Sequence, residues 1–278
     1  MILATVLALT AAVLHAGWNL AVKQSGDRFV ALWGQFVMAG LIGLVVVAAF
    51  GRVSAAGWAW AGVSGLAHVP YSLGLARAYR HGDFSLTYPV ARGGGAMLGG
   101  LAGIALLGDR YSALGIAGFV ITGLGLLSLG SIRSPGVGSA LVVSASIAVY
   151  SVVDAHAIRT TGSPLYAAAS HVAVGITVSA TGAVRGRSRQ MAEALRHRWR
   201  RFLVFGTVVG GTYALVQVAF KLAPVGYVTC LRESSVVIAA VVGVKLLGEA
   251  GSSAGTRRIA ASLVVATGLL VLIVGGRA

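Results

Sequence analysis

Carboxylates are scarce in this sequence: seven Asp and Glu stand against 22 Lys and Arg, and charged residues fill only 10% of 278 positions. Soluble domains carry roughly 25% charged residues, so a water-facing surface of ordinary composition is excluded. The single cysteine, Cys230, rules out an intramolecular disulfide. Catalytic patterns are missing as well. Gly93-Gly94-Gly95 is not followed by Gly-Lys-Ser/Thr, so it is no phosphate loop. There is no zinc-type His/Cys spacing, no nucleophile elbow and no pair of catalytic carboxylates. The sequence therefore predicts no enzyme, no catalytic residue, no metal site and no cofactor. The N-terminus has no cationic n-region, and its first basic residue, Lys23, follows the apolar run. Residues 2–22 thus read as a retained first span, not a cleaved signal.

Hydrophobic residues make up 57% of the chain, in runs of about 20 that recur from end to end. Backbone groups in lipid must be satisfied within the segment, so such runs predict spanning helices. Runs such as Leu41 to Phe50 do not alternate, which excludes a β-barrel. Ten spans are expected, near 2–22, 29–50, 57–79, 85–107, 112–130, 137–158, 165–184, 202–221, 226–247 and 257–275. The break near Pro135 divides the chain into residues 1–134 and 135–278, five spans each. An odd number of spans makes the second set enter from the opposite side. The predicted fold is an all-α membrane protein with ten transmembrane helices as two inverted five-helix repeats. Substrate would bind near the midplane between the halves.

The formal net charge of +15 would point to nucleic acid in a soluble protein. Here the basic residues sit mostly in loops, where they set topology and meet headgroups, so no nucleic-acid partner is expected. The side reached after the first span holds fourteen Lys and Arg, seven of them between Arg185 and Arg201; the other side, with both termini, holds five. Charge alone therefore predicts external termini. Within 185–201, Met191, Leu195, Trp199 and Phe202 fall at helical spacing amid arginines. That pattern suits an interfacial helix on anionic headgroups, or a solvated basic connector.

A shift of 140 positions sets Arg92 on Arg232, Gly95 on Ser235, Gly99 on Ala239 and Gly103 on Gly243. It also sets Leu106-Leu107-Gly108-Asp109 on Leu246-Leu247-Gly248-Glu249. An ionisable group inside the membrane costs several kcal/mol and normally faces the bundle interior or a wet cavity. Guanidinium keeps its charge and offers a planar donor fork suited to carboxylate or phosphate. Arg92 and Arg232 are thus candidate anion clamps facing one another. The small-residue stripes let spans four and nine approach closely. Pro70 falls mid-span, as a local break near a cavity or as a simple kink. His15, Trp18 and Asn19 share one face of span one and could orient a polar ligand or join helices. His171, alone among Ala and Val, reads as packing. Asp154 and Glu233 are the carboxylates placed within spans. Either is a proton-coupling candidate, and an Asp154–Arg232 ion pair is the structural alternative.

Three segments carry a family resemblance: Ala11 to Asn19, with its His15-Ala16-Gly17-Trp18-Asn19; Ala78 to Gly93; and Ala223-Pro224-Val225-Gly226-Tyr227 leading to Glu249. Over nearly the whole chain these resemble the EamA branch of the drug/metabolite transporter superfamily. The resemblance implies two inverted five-helix repeats, a central cavity and alternating access. It also implies a multi-pass place in a bacterial plasma membrane. The expected function is a secondary transporter of a small polar metabolite, anionic or zwitterionic. Arg92 and Arg232 would bind the negative group, with His15, Asn19, His68, Tyr71, Tyr88 and Tyr227 orienting the rest and Trp18 stacking on an apolar part. The alternatives are a proton-coupled exporter of organic cations or drugs, and a membrane-embedded enzyme. Expected partners are the small-molecule substrate and membrane lipids, and a homodimer is left open.

Overall fold

The computed structural model describes residues 1–128, 135–235 and 252–275. Over these residues the regular structure is α-helical: α1 (Ile2–Lys23), α2 (Arg28–Phe50), α3 (Ala55–His81), α4 (Phe84–Leu107), α5 (Ala113–Ser128), α6 (Val137–Thr161), α7 (Tyr166–Val184), α8 (Ser188–Leu222), α9 (Val225–Arg232) and α10 (Ser252–Gly275). Among the described residues six helices are long and apolar enough to cross a membrane: α1, α2, α4, α6, α7 and α8. Shorter apolar stretches lie in α5 (Ala113–Leu126) and α10 (Ile259–Gly275). α3 has the length, at 27 residues, but Ser64, His68, Ser72 and Arg77 dilute its apolar character. The ninth expected span is described only as far as Ser235. Ala239, Gly243 and the Leu246–Glu249 echo lie outside the described residues.

The surface is inverted relative to a water-soluble protein. Val13, Val45, Leu66, Leu124, Ile176, Val204 and Leu270 stand exposed around the bundle, while His, Asn, Gln, Arg, Asp and Glu side chains are buried within it. Contiguous exposed apolar surface on this scale needs lipid as its solvent. The chain is a helical membrane protein. Its helix ends follow local chemistry. The Asp27 carboxylate accepts the Val30 N–H at the start of α2, and the Ser54 hydroxyl accepts the Gly57 N–H at the start of α3. Gly136 precedes α6 with φ +84°, a left-handed turn hemmed in by the Ala78 carbonyl, where an L side chain would be strained.

α3 packs against α6 and α7, α2 against α7 and α8, and α1 against α8 and α9. α4 lies along α6 and crosses α9, and α5 lies along α10. The small-residue stripe of α4 serves this packing. A Cβ on Gly95 would come within 2.6 Å of the Ile147 side chain, and one on Gly103 within 2.7 Å of the Asp109 carboxylate. Gly99 has room, its nearest atom being 3.6 Å away on Ala148.

One expectation changes. Pro70 makes no break: α3 runs through it, and its ring faces outward, away from any central cavity. A proline costs least where the carbonyl it leaves free lies on an outer helix face, and Leu66, four residues earlier, is exposed. The basic segment 185–201 is helical from Ser188, and non-helical backbone at Arg198 (φ −127°, ψ 15°) sets this first part of α8 off by a kink from the apolar helix that follows. Met191 and Phe202 tuck into the bundle, whereas Trp199 is 48% exposed beneath the Arg200 guanidinium.

Candidate functional site

Seven helices converge on one small chamber near the centre of the bundle, with a cavity volume of about 30 Å³. α1 contributes His15 and Trp18, three residues apart and so on one helix face. α3 contributes His68 and Tyr71 by the same spacing, and α2 supplies Phe36. From the later helices come Tyr150 of α6, His171 of α7, Tyr213 of α8 and Arg232 of α9. Much of the wall is aromatic. His68 stacks on Tyr150 with ring centres 4.2 Å apart, and Tyr71 and Tyr213 meet Tyr150 edge-on at 5.9 and 5.7 Å.

The polar groups of this wall are out of balance. Arg232 is 1% exposed, yet its Nε and Nη1 find no hydrogen-bond partner among the described residues. The same holds for Trp18 Nε1 and His15 Nε2. Indole N–H and guanidinium are donors only, and a neutral imidazole nitrogen serves either way. Two of the hydroxyls lining the chamber are engaged locally: Thr212 donates to Val208 O, and Ser170 donates to Ala167 O while accepting from Gln217. Buried donors left without acceptors cost about 1–3 kcal/mol each. The chamber thus offers a fixed cation and spare donors, and what relieves it is an acceptor-rich, negatively charged group.

The two arginines have different surroundings. Arg92 Nη2 donates to Glu233 Oε1 at 2.8 Å, both side chains being almost fully buried. Arg92 is thus ion-paired through Nη2 where α4 crosses α9, its Nε and Nη1 being unpartnered among the described residues as those of Arg232 are, but it does not line the chamber. Arg232 has no ion pair among the described residues; its guanidinium lies over the Tyr213 ring, 5.7 Å from the centroid. The expected Asp154–Arg232 pair is not formed. Asp154 instead accepts the Tyr166 hydroxyl at 2.7 Å and the Tyr213 hydroxyl on its other oxygen. One tyrosine ring thus separates the buried acid from the buried cation, because Tyr213 on α8 reaches Asp154 first.

The remaining expected residues divide. His15, Trp18, His68 and Tyr71 line the chamber with Arg232. Asn19, Tyr88 and Tyr227 lie outside it and join helices. Asn19 Oδ1 accepts from Tyr79, Tyr88 donates to Ser235 Oγ, and the Tyr227 hydroxyl bonds Thr5 Oγ1. Sequence reasoning missed Tyr150 and Tyr213, and it read His171 as packing. A signal for Tyr150 was present: it stands four residues before Asp154, on the same face of α6.

Two further constellations sit at helix ends. Arg159, at the end of α6, donates to Asp109 at 2.8 Å and to the Phe220 and Ala223 carbonyls at the end of α8. Asp109 also accepts the Val225 N–H, which opens α9. Beside it, burial chiefly, and then the Asp109 charge, push the Tyr111 phenol upward, so it stays neutral. Lys23, at the end of α1, donates to the Tyr79 and Gly82 carbonyls at the end of α3.

Fold and chamber together define a helical membrane protein with a buried, cation-bearing cavity. Solved structures share the architecture: 26 chains match. One is a crystal structure whose description names no function; it is similar over 99% of both chains, with a TM-score of 0.72 and 19% sequence identity. At that identity the likeness speaks for the fold alone. No family model and no curated relative matches the chain.

Proposed function

We propose that the protein is a secondary transporter of a small anionic or zwitterionic metabolite, which it holds in the central chamber. The observation that carries this reading is the group of unpartnered buried nitrogens on Arg232, Trp18 and His15, all lining one cavity. Arg232 would take the negative group, and the aromatic wall would enclose the remainder. The alternative cargo, an organic cation, has less to meet it: Asp154 is capped by two tyrosine hydroxyls, and Glu233 is held by Arg92.

The architecture in this proposal is ten spans in two inverted repeats, 1–134 and 135–278, of the EamA type. Helix pairing supports it, since adding five to each label turns α3 with α6 into α8 with α1, and α2 with α8 into α7 with α3; both partners of each exchange are in contact. The helix-end cations support it too. Lys23 reaches the Tyr79 and Gly82 carbonyls, and Arg159 reaches those of Phe220 and Ala223, each 141 positions further on. In an inverted duplication these two ties would close opposite faces of the membrane, as alternating access requires. The proposal includes a bacterial plasma membrane, and headgroup contact along 185–201.

The test is solute counterflow. Purified protein in proteoliposomes preloaded with a candidate carboxylate or phosphate should accumulate the labelled form, and Arg232→Gln should abolish that exchange. Flux that is equal in the variant would overturn the assignment of Arg232.

A further inference from the structure

A second cleft lies on the outside of the bundle and shares no lining residue with the chamber. On α3, Pro70, Leu73, Gly74, Arg77, Arg80 and His81 fall at helical spacing along one face that lines it. The opposite wall is the first two turns of α6, with Ser139 and Val142. α6 comes close here because residue 74 is glycine: a Cβ would meet the Ser139 carbonyl at 3.1 Å. Arg185 and Arg187, from the connection between α7 and α8, close one end.

The cleft is graded in polarity. Between Pro70 and Arg80, ten residues of helix span about 15 Å. Pro70, Leu73 and Val142 make one end apolar, and the guanidinium groups gather at the other, where α3 ends. Val142 is 47% exposed, as a surface for acyl chains would be. Arg77, Arg80 and Arg185 are exposed and form no ion pair or hydrogen bond with a described residue. Arg187 is held in place by Asp27, by Gln190 at 3.0 Å and by the Phe29 ring, 5.1 Å away. No carboxylate lines the cleft. Arg77, Arg80 and Arg185, with no acid bonded to them, repel one another and the paired Arg187, and a polyanion relieves that repulsion.

We infer that this cleft is a binding site for an anionic phospholipid carrying two phosphates, as cardiolipin does. The phosphates sit among Arg77, Arg80, Arg185 and Arg187, and an acyl chain lies along Leu73 and Val142. Basic clefts between membrane helices take such headgroups on the cytoplasmic side. The inference rests on the chain's being a membrane protein and not on what the chamber carries. It sets the α3 C-terminus on the anionic leaflet, in agreement with the excess of basic residues on that side.

The test uses full-length protein in detergent, with thermal stability and native mass spectrometry as readouts. Cardiolipin should stabilise the wild type and remain bound in the spectrometer, where phosphatidylcholine does neither. Each arginine near an anionic surface contributes about fivefold in affinity, so Arg77→Ala/Arg80→Ala/Arg185→Ala should weaken cardiolipin roughly a hundredfold. Arg52→Ala/Arg110→Ala, in the connections after α2 and α4, should leave it unchanged. All these side chains are exposed, so the variants fold. Equal protection by inorganic pyrophosphate would make the cleft a plain anion site and overturn the lipid assignment. Equal loss in both variants would overturn the location.

Discussion

Glu233→Gln is the sharpest perturbation of the buried charges. Its carboxylate holds Arg92 at 2.8 Å, with side-chain exposures of 1% and 3%. Removing one partner of a buried pair costs about 3–5 kcal/mol, because the other charge stays behind without compensation. Here the remaining charge cannot neutralise itself, since guanidinium does not lose its proton. Arg92 and Arg232 would then be two buried cations with no described acid bonded to either. At about 2–4 °C per kcal/mol for a chain of roughly this size, Tm should fall by roughly 6–20 °C. The reverse deletion is milder. In Arg92→Met the orphaned carboxyl can take a proton, and the cost drops to about 1–3 kcal/mol. Replacing both with Met should restore stability to near the wild type, as well-packed apolar substitutes for buried ion pairs often do. Thermal unfolding of detergent-purified protein, read by tryptophan fluorescence, ranks the four forms. The reasoning fails if Arg92→Met is the less stable single variant, or if both singles match the wild type.

Asp154→Asn keeps one acceptor for two tyrosine hydroxyls, so a hydrogen bond to a charged group worth about 1.5–3 kcal/mol should vanish from its unfolding energy. If Asp154 carries the coupling proton, the same variant should still exchange substrate yet no longer respond to an imposed pH gradient in vesicles; wild-type accumulation that is unchanged at zero gradient removes that role. Arg159→Ala cuts three ties at the ends of α6 and α8 and should favour opening of that face. Thiol labelling of a cysteine placed at Val225, in a Cys230→Ser background, should then run at least about tenfold faster, and an unchanged rate argues against a latch. Gly95→Ala should lower stability by about 1–3 kcal/mol through its clash with Ile147. Gly99→Ala, whose Cβ would meet Ala148 at an ordinary contact distance of 3.6 Å, should be neutral or gain up to about 1 kcal/mol of helix propensity.

What could be read from the sequence was the part that depends on local pattern. Apolar runs marked the helices, and an arginine inside such a run marked the bundle interior, where both Arg92 and Arg232 are buried. His15 with Trp18, and His68 with Tyr71, were found through helical spacing, and both pairs line the chamber. Partner choice was not legible, because it depends on where two helices cross. Arg92 and Glu233 are 141 residues apart and meet only through the α4–α9 contact, so the acid next to Arg232 in sequence serves the other arginine. Tyr213 likewise looks like an ordinary aromatic of an apolar helix until α8 is packed beside α6 and its hydroxyl meets Asp154. Asn19 shares a face with His15, but its amide oxygen is taken by Tyr79 on another helix, which spacing along α1 does not reveal.

The most direct measurement is calorimetric titration of the exchanged solute into three forms: wild type, Arg232→Gln and Arg92→Met/Glu233→Met. A charged hydrogen bond worth about 1.5–3 kcal/mol predicts a roughly 10- to 150-fold weaker Kd in Arg232→Gln, with the double variant within about threefold of the wild type. The opposite pattern, with affinity lost in the double variant and kept in Arg232→Gln, would put the anion at Arg92 and contradict the account.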